Sequence, residues 1–312
     1  MKIAVLCGGV SPEREVSLSS GDAVTKGLRE AGHDAEFCDI SSIRGFIRDW
    51  ENGKIKAEGV FIALHGGWGE DGRIQAVLEA FEIPYTGSGP EACMFSMDKT
   101  AAKLAFKNAG IPTPEGFIAS RENAGLKKAE EFLAKYGKII VKPNGGGSTV
   151  GVTQLTDLDS YQSALELSWQ SEPNALVEQF IEGDEITVPV WESERGTEAL
   201  PAIHIKPKSG FYDYKNKYTH GCTEYICPGD FSPEITEKLA ELGTACHNAL
   251  GCRIYSRADF RLSPEGELYA LEVNTAPGMT GTSLVPKAAK CSGMDFPIFL
   301  DKVVKNSFSL KR

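Results

Sequence analysis

Over the first ninety residues, short apolar runs and amphipathic stretches alternate along the chain. A strand is expected at 2–7, where residues 3–7 form an unbroken apolar run, the pattern of a strand buried on both faces. Residues 12–31 place Val16, Ala23, Val24, Leu28 and Ala31 at helical spacing. Ser11 is the expected N-cap, Pro12 the first helical residue and Gly32 the stop. Strands are expected again at 34–40 and 59–64, a helix at 74–81, and a strand with a loop at 83–89. This alternation constrains the fold more than any other feature: the strands lie parallel, helices cover both faces, and ligands collect at the strands' carboxyl ends. The turn at Gly8-Gly9 aims N–H groups and a helix start at that crevice. Glu13 and Glu15 sit there, although acidic residues also simply suit the positive end of a helix dipole. The turn lacks Gly-x-Gly-x-x-Gly, which disfavours a dinucleotide-dependent dehydrogenase.

The 312 residues allow two or three domains. Boundaries are expected to give units at 1–96, 97–183 and 184–312. In the second, Asp98 caps a helix of about 99–109, a helix covers 129–136, strands cover 139–141, 152–155 and 175–181, and a helix covers 158–167. The third holds strands near 185–192 and 199–205, a polar aromatic loop at 208–221, helices near 233–250 and 295–306, and a hairpin at 257–274. The overall class is α/β, turning to α+β in the second and third units. A net charge of −10 argues against nucleic-acid partners. No apolar stretch reaches membrane-spanning length. The eight cysteines include no Cys-x-x-Cys pair, so a zinc knuckle or thioredoxin-type site is not expected, and reduced thiols in the cytoplasm are the simpler reading.

The hairpin carries the clearest chemical signal. With Glu265-Gly266 as its turn, Asp259 falls opposite Glu272, and Asn274 shares the face of Glu272 because side chains alternate along a strand. Three oxygen-bearing side chains then converge, a donor set for a hard cation such as Mg²⁺ with room left for phosphate. A solvated hairpin face would show the same residues, but Leu271 and Val273 flank the carboxylate with apolar neighbours.

Other segments complement it. Lys142 ends a strand and leads into Gly145-Gly146-Gly147-Ser148, where uncovered N–H groups and a hydroxyl suit phosphate, although a plain flexible turn reads the same way. Glu178, Gln179, Phe180 and Ile181 form a strand whose exposed main-chain edge suits an adenine, with Glu178 on a ribose hydroxyl or the base amine. His65, before two glycines at a strand's end, can reach a ligand or serve as a hydrogen-bonded packing residue. The loop from 209 to 218 joins four aromatics to two lysines and suits closure over an anion.

Five segments in this order, at 8–21, 65–72, 97–99, 212–218 and 272–286, make the chain resemble the ATP-grasp carboxylate–amine ligases, and most closely their D-alanine-joining branch. The resemblance covers essentially the whole chain. It implies an ATP-grasp fold behind an N-terminal Rossmann-like domain, and ATP-dependent coupling of two D-alanines through an acyl phosphate for peptidoglycan precursors. It implies ATP as substrate, two Mg²⁺ ions (Mn²⁺ as a substitute) and a cytoplasmic homodimer. By the same resemblance Lys99 and Lys142 hold ATP phosphates, Gln179 to Ile181 line the adenine and Glu185 takes the ribose. Asp259 and Glu272 bind one Mg²⁺, and Glu272 with Asn274 the other. Glu15 anchors the first D-alanine's ammonium. Arg257 and the Gly278 N–H meet the oxyanion, and Ser283 with the Leu284 N–H receives the second substrate's carboxylate. Lys217 reaches the transferred phosphate, while Glu15, Ser148 and Tyr218 link helix, glycine loop and lid. Two readings compete: a ligase of the same fold with another acceptor, and a nucleotide-binding regulator without turnover.

Overall fold

The fold is described from a computed structural model, for residues 1–147, 150–208 and 221–310. Strands β1 (Lys2–Gly8), β2 (Asp34–Ile40) and β3 (Gly59–Ile62) form a parallel sheet in the order β2-β1-β3. Ile3 to Cys7 are all buried, as the apolar run demands of a central strand covered on both faces. The helix Arg14–Glu30 crosses between β1 and β2 and begins two residues later than the sequence suggests. Ser11 is not its cap. The Ser11 hydroxyl accepts from the Glu13 N–H at 3.2 Å and donates to the His65 carbonyl at 2.6 Å, so residues 11–13 form a turn facing the ligand crevice. Gly32, at φ +88°, ends the helix as expected, with the His33 N–H returning to the Leu28 carbonyl.

Strands β4 (Gly116–Ser120), β5 (Ile139–Pro143), β6 (Thr153–Leu155) and β7 (Asn174–Gln179) form an antiparallel sheet in the order β4-β7-β5-β6. Asp98 caps the helix Lys99–Asn108 by accepting from the Ala101 N–H, as its position predicts. Two elements carry no clear sequence period and escape a reading from pattern: β4, and the helix Pro90–Met97, whose Ala92, Cys93, Met94 and Phe95 run consecutively rather than along one face.

The largest sheet is antiparallel and runs β11 (Thr223–Ile226), β10 (Ile203–Pro207), β8 (Asp184–Ser193), β12 (Tyr255–Leu262), β13 (Leu268–Asn274), with β9 (Gly196–Ala199) also on β8. The single strand expected near 199–205 is therefore two, separated at residues 200–202. Ile186, Val188 and Val190 of β8 are buried under the helix Pro233–Ala249. A Cβ on Gly243 of that helix would stand 2.6 Å from Val188 Cγ1, so glycine sets how closely helix and sheet approach. A helix at Leu284–Cys291, not legible in the sequence, precedes the final helix Phe296–Ser309. Both bury apolar residues in one core with Ile3, Val5, Val24 and Leu28, which fixes the N-terminal parallel sheet against the C-terminal part of the chain.

Candidate active site

The hairpin β12–β13 pairs Asp259 with Glu272 and Arg257 with Asn274. The opposition is as the sequence predicts, but the route to it differs. The turn is closed by the Ser263 N–H to the Glu267 carbonyl, and Leu262 pairs with Leu268 and Phe260 with Ala270. Continued unchanged, that register would set Glu272 against Ala258, on the core face. An irregularity between Asp259 and Phe260 leaves Leu271 as an extra residue, a β-bulge that shifts the register by one. The bulge therefore brings the Glu272 carboxylate onto the face of Asp259.

Each carboxylate is met by a cation of the chain. Arg257 grips Asp259 in a two-pronged pair, Nε to Oδ1 at 2.9 Å and Nη2 to Oδ2 at 2.7 Å, and Thr187 donates to Oδ1 at 2.5 Å. Lys99 Nζ lies 3.1 Å from Glu272 Oε2 and donates to the Gly146 carbonyl at 2.7 Å. Asn274 Oδ1 accepts from the Ala276 N–H at 2.9 Å, and its second lone pair leaves a further acceptor position. No group of three or more His, Cys, Asp or Glu side chains converges among the described residues. The hairpin instead offers two carboxylates and an amide oxygen, all hard donors and too few to enclose a cation. That fits Mg²⁺, which binds one or two carboxylates and fills its shell with water and phosphate.

Two cavities meet at this hairpin. One, of about 460 Å³, is lined by Lys99, Lys142, Glu178, Gln179, Phe180 and Ile181. The other, of about 880 Å³, is lined by Glu15, His65, Arg257, Asn274, Gly278 and Ser283. Asp259, Glu272 and Glu185 line both. A reaction that draws on a group from each side is thus supplied with charge at the shared wall.

In the first cavity the glycine loop is held from both sides. Asn144 accepts from the Thr100 N–H and hydroxyl and donates to Asp98. Glu172 accepts from the Gly145 N–H. Burial holds the Glu172 carboxyl above its ordinary value, against the pull of that N–H and of Lys99. The exposed strand edge expected at 178–181 needs correction. β7 is not an edge strand but lies between β4 and β5, and the N–H groups of Gln179 and Phe180 donate to the Glu115 and Lys138 carbonyls. Strand pairing stops only at Gln179, so the wall of the cavity is the segment that leaves the sheet there. Phe180 is flanked by Lys138 and Arg261, and Arg261 donates to the Ile181 carbonyl at 3.1 Å and approaches Glu185 at 3.5 Å. Glu178 is 2% exposed and engaged by both Lys103 and Lys142, an arrangement of buried charge rather than a carboxylate open to solvent.

In the second cavity Glu15 is exposed in the first turn of Arg14–Glu30. His65 is buried; its Nδ1 meets the Ala276 carbonyl at 3.1 Å and its Nε2 meets the Ser20 hydroxyl at 2.8 Å. The ring thus ties that helix to the 275–283 loop while lining the cavity. Ser283 starts the helix Leu284–Cys291 in extended conformation, so the helix's first N–H groups, including that of Leu284, suit a carboxylate. The Ser283 hydroxyl accepts from the Thr280 N–H, and a Cβ on Gly278 would meet that hydroxyl at 3.0 Å. Ser148, Lys217 and Tyr218 lie outside the described residues.

Residues 105–305 match the family described as "D-ala D-ala ligase C-terminus", and 46–88 match "D-ala D-ala ligase N-terminus". The chain belongs to the D-alanine–D-alanine ligase family. A member from Bacillus anthracis is 32% identical over 98% of this chain and 97% of its own, at a TM-score of 0.86. The same enzyme solved in complex with ATP aligns at 30% identity, 98% and 97% coverage and a TM-score of 0.84. The VanG D-Ala:D-Ser ligase of Enterococcus faecalis is 29% identical over 98% and 99% of the two chains, also at 0.84. With the ATP-grasp architecture of this family in place, further residues in and behind the cavity walls stand out that pattern reading did not single out. Lys103 and Arg261 each follow an expected site residue at the repeat of its element: four after Lys99 on a helix, two after Asp259 on a strand. That spacing was the available signal. Glu70 lines both cavities beside His65, and Glu172 lies in a turn that no pattern marks.

Proposed function

We propose that this chain joins two D-alanines into D-alanyl-D-alanine, with ATP converted to ADP and phosphate, to supply peptidoglycan precursors. The observation that carries the proposal is the pair of cavities sharing Asp259 and Glu272, within a family whose Bacillus anthracis member is described in complex with ATP. ATP is assigned to the cavity of Lys99 and Lys142, with those lysines on its phosphates, Gln179 to Ile181 along the adenine, Glu178 behind them and Glu185 at the ribose. D-Alanine is assigned to the other cavity. Asp259, Glu272 and Asn274 would hold two Mg²⁺ ions, which when bound screen the charge between carboxylate and triphosphate.

The first D-alanine is anchored through its ammonium by Glu15, in a pocket that His65 shapes. Its carboxylate oxygen attacks the γ-phosphorus, the bond to the β-phosphate breaks, and ADP leaves. Ser283 and the Leu284 N–H orient the second D-alanine by its carboxylate. Its free amine attacks the acyl carbonyl, Arg257 and the Gly278 N–H receive the oxyanion, and phosphate departs as the amine loses its proton. A cytoplasmic homodimer belongs to the same reading. The test is incubation with ATP, Mg²⁺ and D-alanine. Equal amounts of phosphate and dipeptide are expected, with weak response to L-alanine, D-lactate or D-serine as acceptor. Equal use of L-alanine, or nucleotide binding without turnover, would contradict it.

A further inference from the structure

In the wall of the nucleotide cavity and just behind it lie three charges that water hardly reaches: Lys142 and Glu178 line it, and Lys103 stands behind. Lys103 Nζ is 2.7 Å from Glu178 Oε2 and donates to the Thr113 hydroxyl at 3.0 Å. Lys142 Nζ engages the other oxygen, Glu178 Oε1. The side chains are 8%, 2% and 11% exposed for Lys103, Glu178 and Lys142. Burial opposes ionisation of Glu178, yet the two lysines hold its carboxyl below the ordinary value. Burial draws Lys103 below the usual lysine value, against the pull of Glu178.

The fold prepares this contact. Glu178 pairs across the sheet with Gly116 on one side and Ile140 on the other. A Cβ on Gly116 would come within 2.9 Å of the Glu178 Cβ, so glycine there makes space for the glutamate. Lys103 comes from the helix Lys99–Asn108, one turn after Lys99, and both are buried.

One carboxylate between two ammonium groups leaves a surplus positive charge. A Lys142–Glu178 pair alone would be neutral, and an anion would have to compete with Glu178 for Lys142. In a poorly screened site that difference is large. We propose that Lys103 is a positioning residue for nucleotide phosphate: it engages Glu178, so that Lys142 retains positive charge toward the cavity. The inference rests on the assignment of ATP to this cavity.

Isothermal titration of ADP and of adenosine against wild type, Lys103→Met and Lys103→Arg tests it. Adenosine carries no phosphate, so a loss of charge and a loss of shape read differently. Lys103→Met is expected to weaken ADP by about tenfold or more, the size of one charged hydrogen bond, and adenosine far less. Lys103→Arg is expected to keep the wild-type ratio of the two affinities. Should Lys103→Met not fold, Lys103→Gln is read in the same way. Parallel loss of both ligands would mean a merely structural lysine and overturn the inference, as would an unchanged ratio. A wild-type protein that does not prefer ADP over adenosine would overturn the nucleotide assignment itself, and this inference with it.

Discussion

Lys99 stands 3.1 Å from Glu272 while donating to the Gly146 carbonyl. One ammonium thus joins the glycine loop to the hairpin. It occupies the Glu272 carboxylate that a divalent cation would use. Lys99→Met is therefore expected to tighten Mn²⁺ binding to the nucleotide-free protein by roughly two- to fivefold, the range of a partly exposed ion pair. ATP binding should weaken in the same variant. Electron paramagnetic resonance titration of Mn²⁺ measures the first effect, and unchanged or weaker Mn²⁺ binding would speak against competition at Glu272.

Glu272→Gln keeps the size of the side chain and removes its charge from the shared wall. Since metal-assisted charge stabilisation amounts to several kcal/mol, turnover should fall by about 10²-fold or more. Circular dichroism should show an intact fold. Near-normal turnover at saturating Mg²⁺ would remove Glu272 from the cation site.

Arg257 meets Asp259 through two nitrogens, and its planar fork has no equivalent in lysine. Arg257→Met is expected to lower kcat by roughly 10²–10³-fold, as for loss of one oxyanion donor. Arg257→Lys should restore little of it. Steady-state kinetics with D-alanine varied distinguishes this from a binding defect, which would raise KM and leave kcat in place.

Much of this site was legible in the sequence, and the unread parts share a physical cause. The parallel N-terminal strands follow from hydropathy alone, because a strand buried on both faces has no polar face to mask it. The opposition of Asp259 and Glu272 was legible too, but only because two departures offset each other: the turn is one residue off the expected register, and the bulge at Leu271 restores it. Glu178 lines the cavity, but a sequence does not show that Lys103, seventy-five positions earlier, supplies it with a buried partner. The sequence downstream of Ser11 suits a helix cap, whereas its hydroxyl is drawn to the His65 carbonyl from another element.

Beside the strand Ile203–Pro207, Asp230 accepts from Lys206 at 2.7 Å and from His204 at 2.5 Å. These hydrogen bonds, that of Lys206 first, hold its carboxyl well below the usual carboxylate range. A depressed carboxyl contributes stability above its unfolded value and loses it as pH falls through the folded one. Asp230→Asn should therefore lower Tm at neutral pH, and the gap to wild type should close only below about pH 4. Thermal melts across pH 2–8 measure it. A gap that stays open down to pH 2 would show that the effect does not come from ionisation of the carboxyl.

The central claim is that a carboxylate from one cavity takes phosphate from a nucleotide in the other across the wall of Asp259 and Glu272. D-Alanine labelled with ¹⁸O in its carboxylate tests this directly. An acyl phosphate transfers one carboxylate oxygen to the phosphate released, so mass spectrometry should find one ¹⁸O in the phosphate for each dipeptide formed. Phosphate free of ¹⁸O alongside dipeptide would contradict the account.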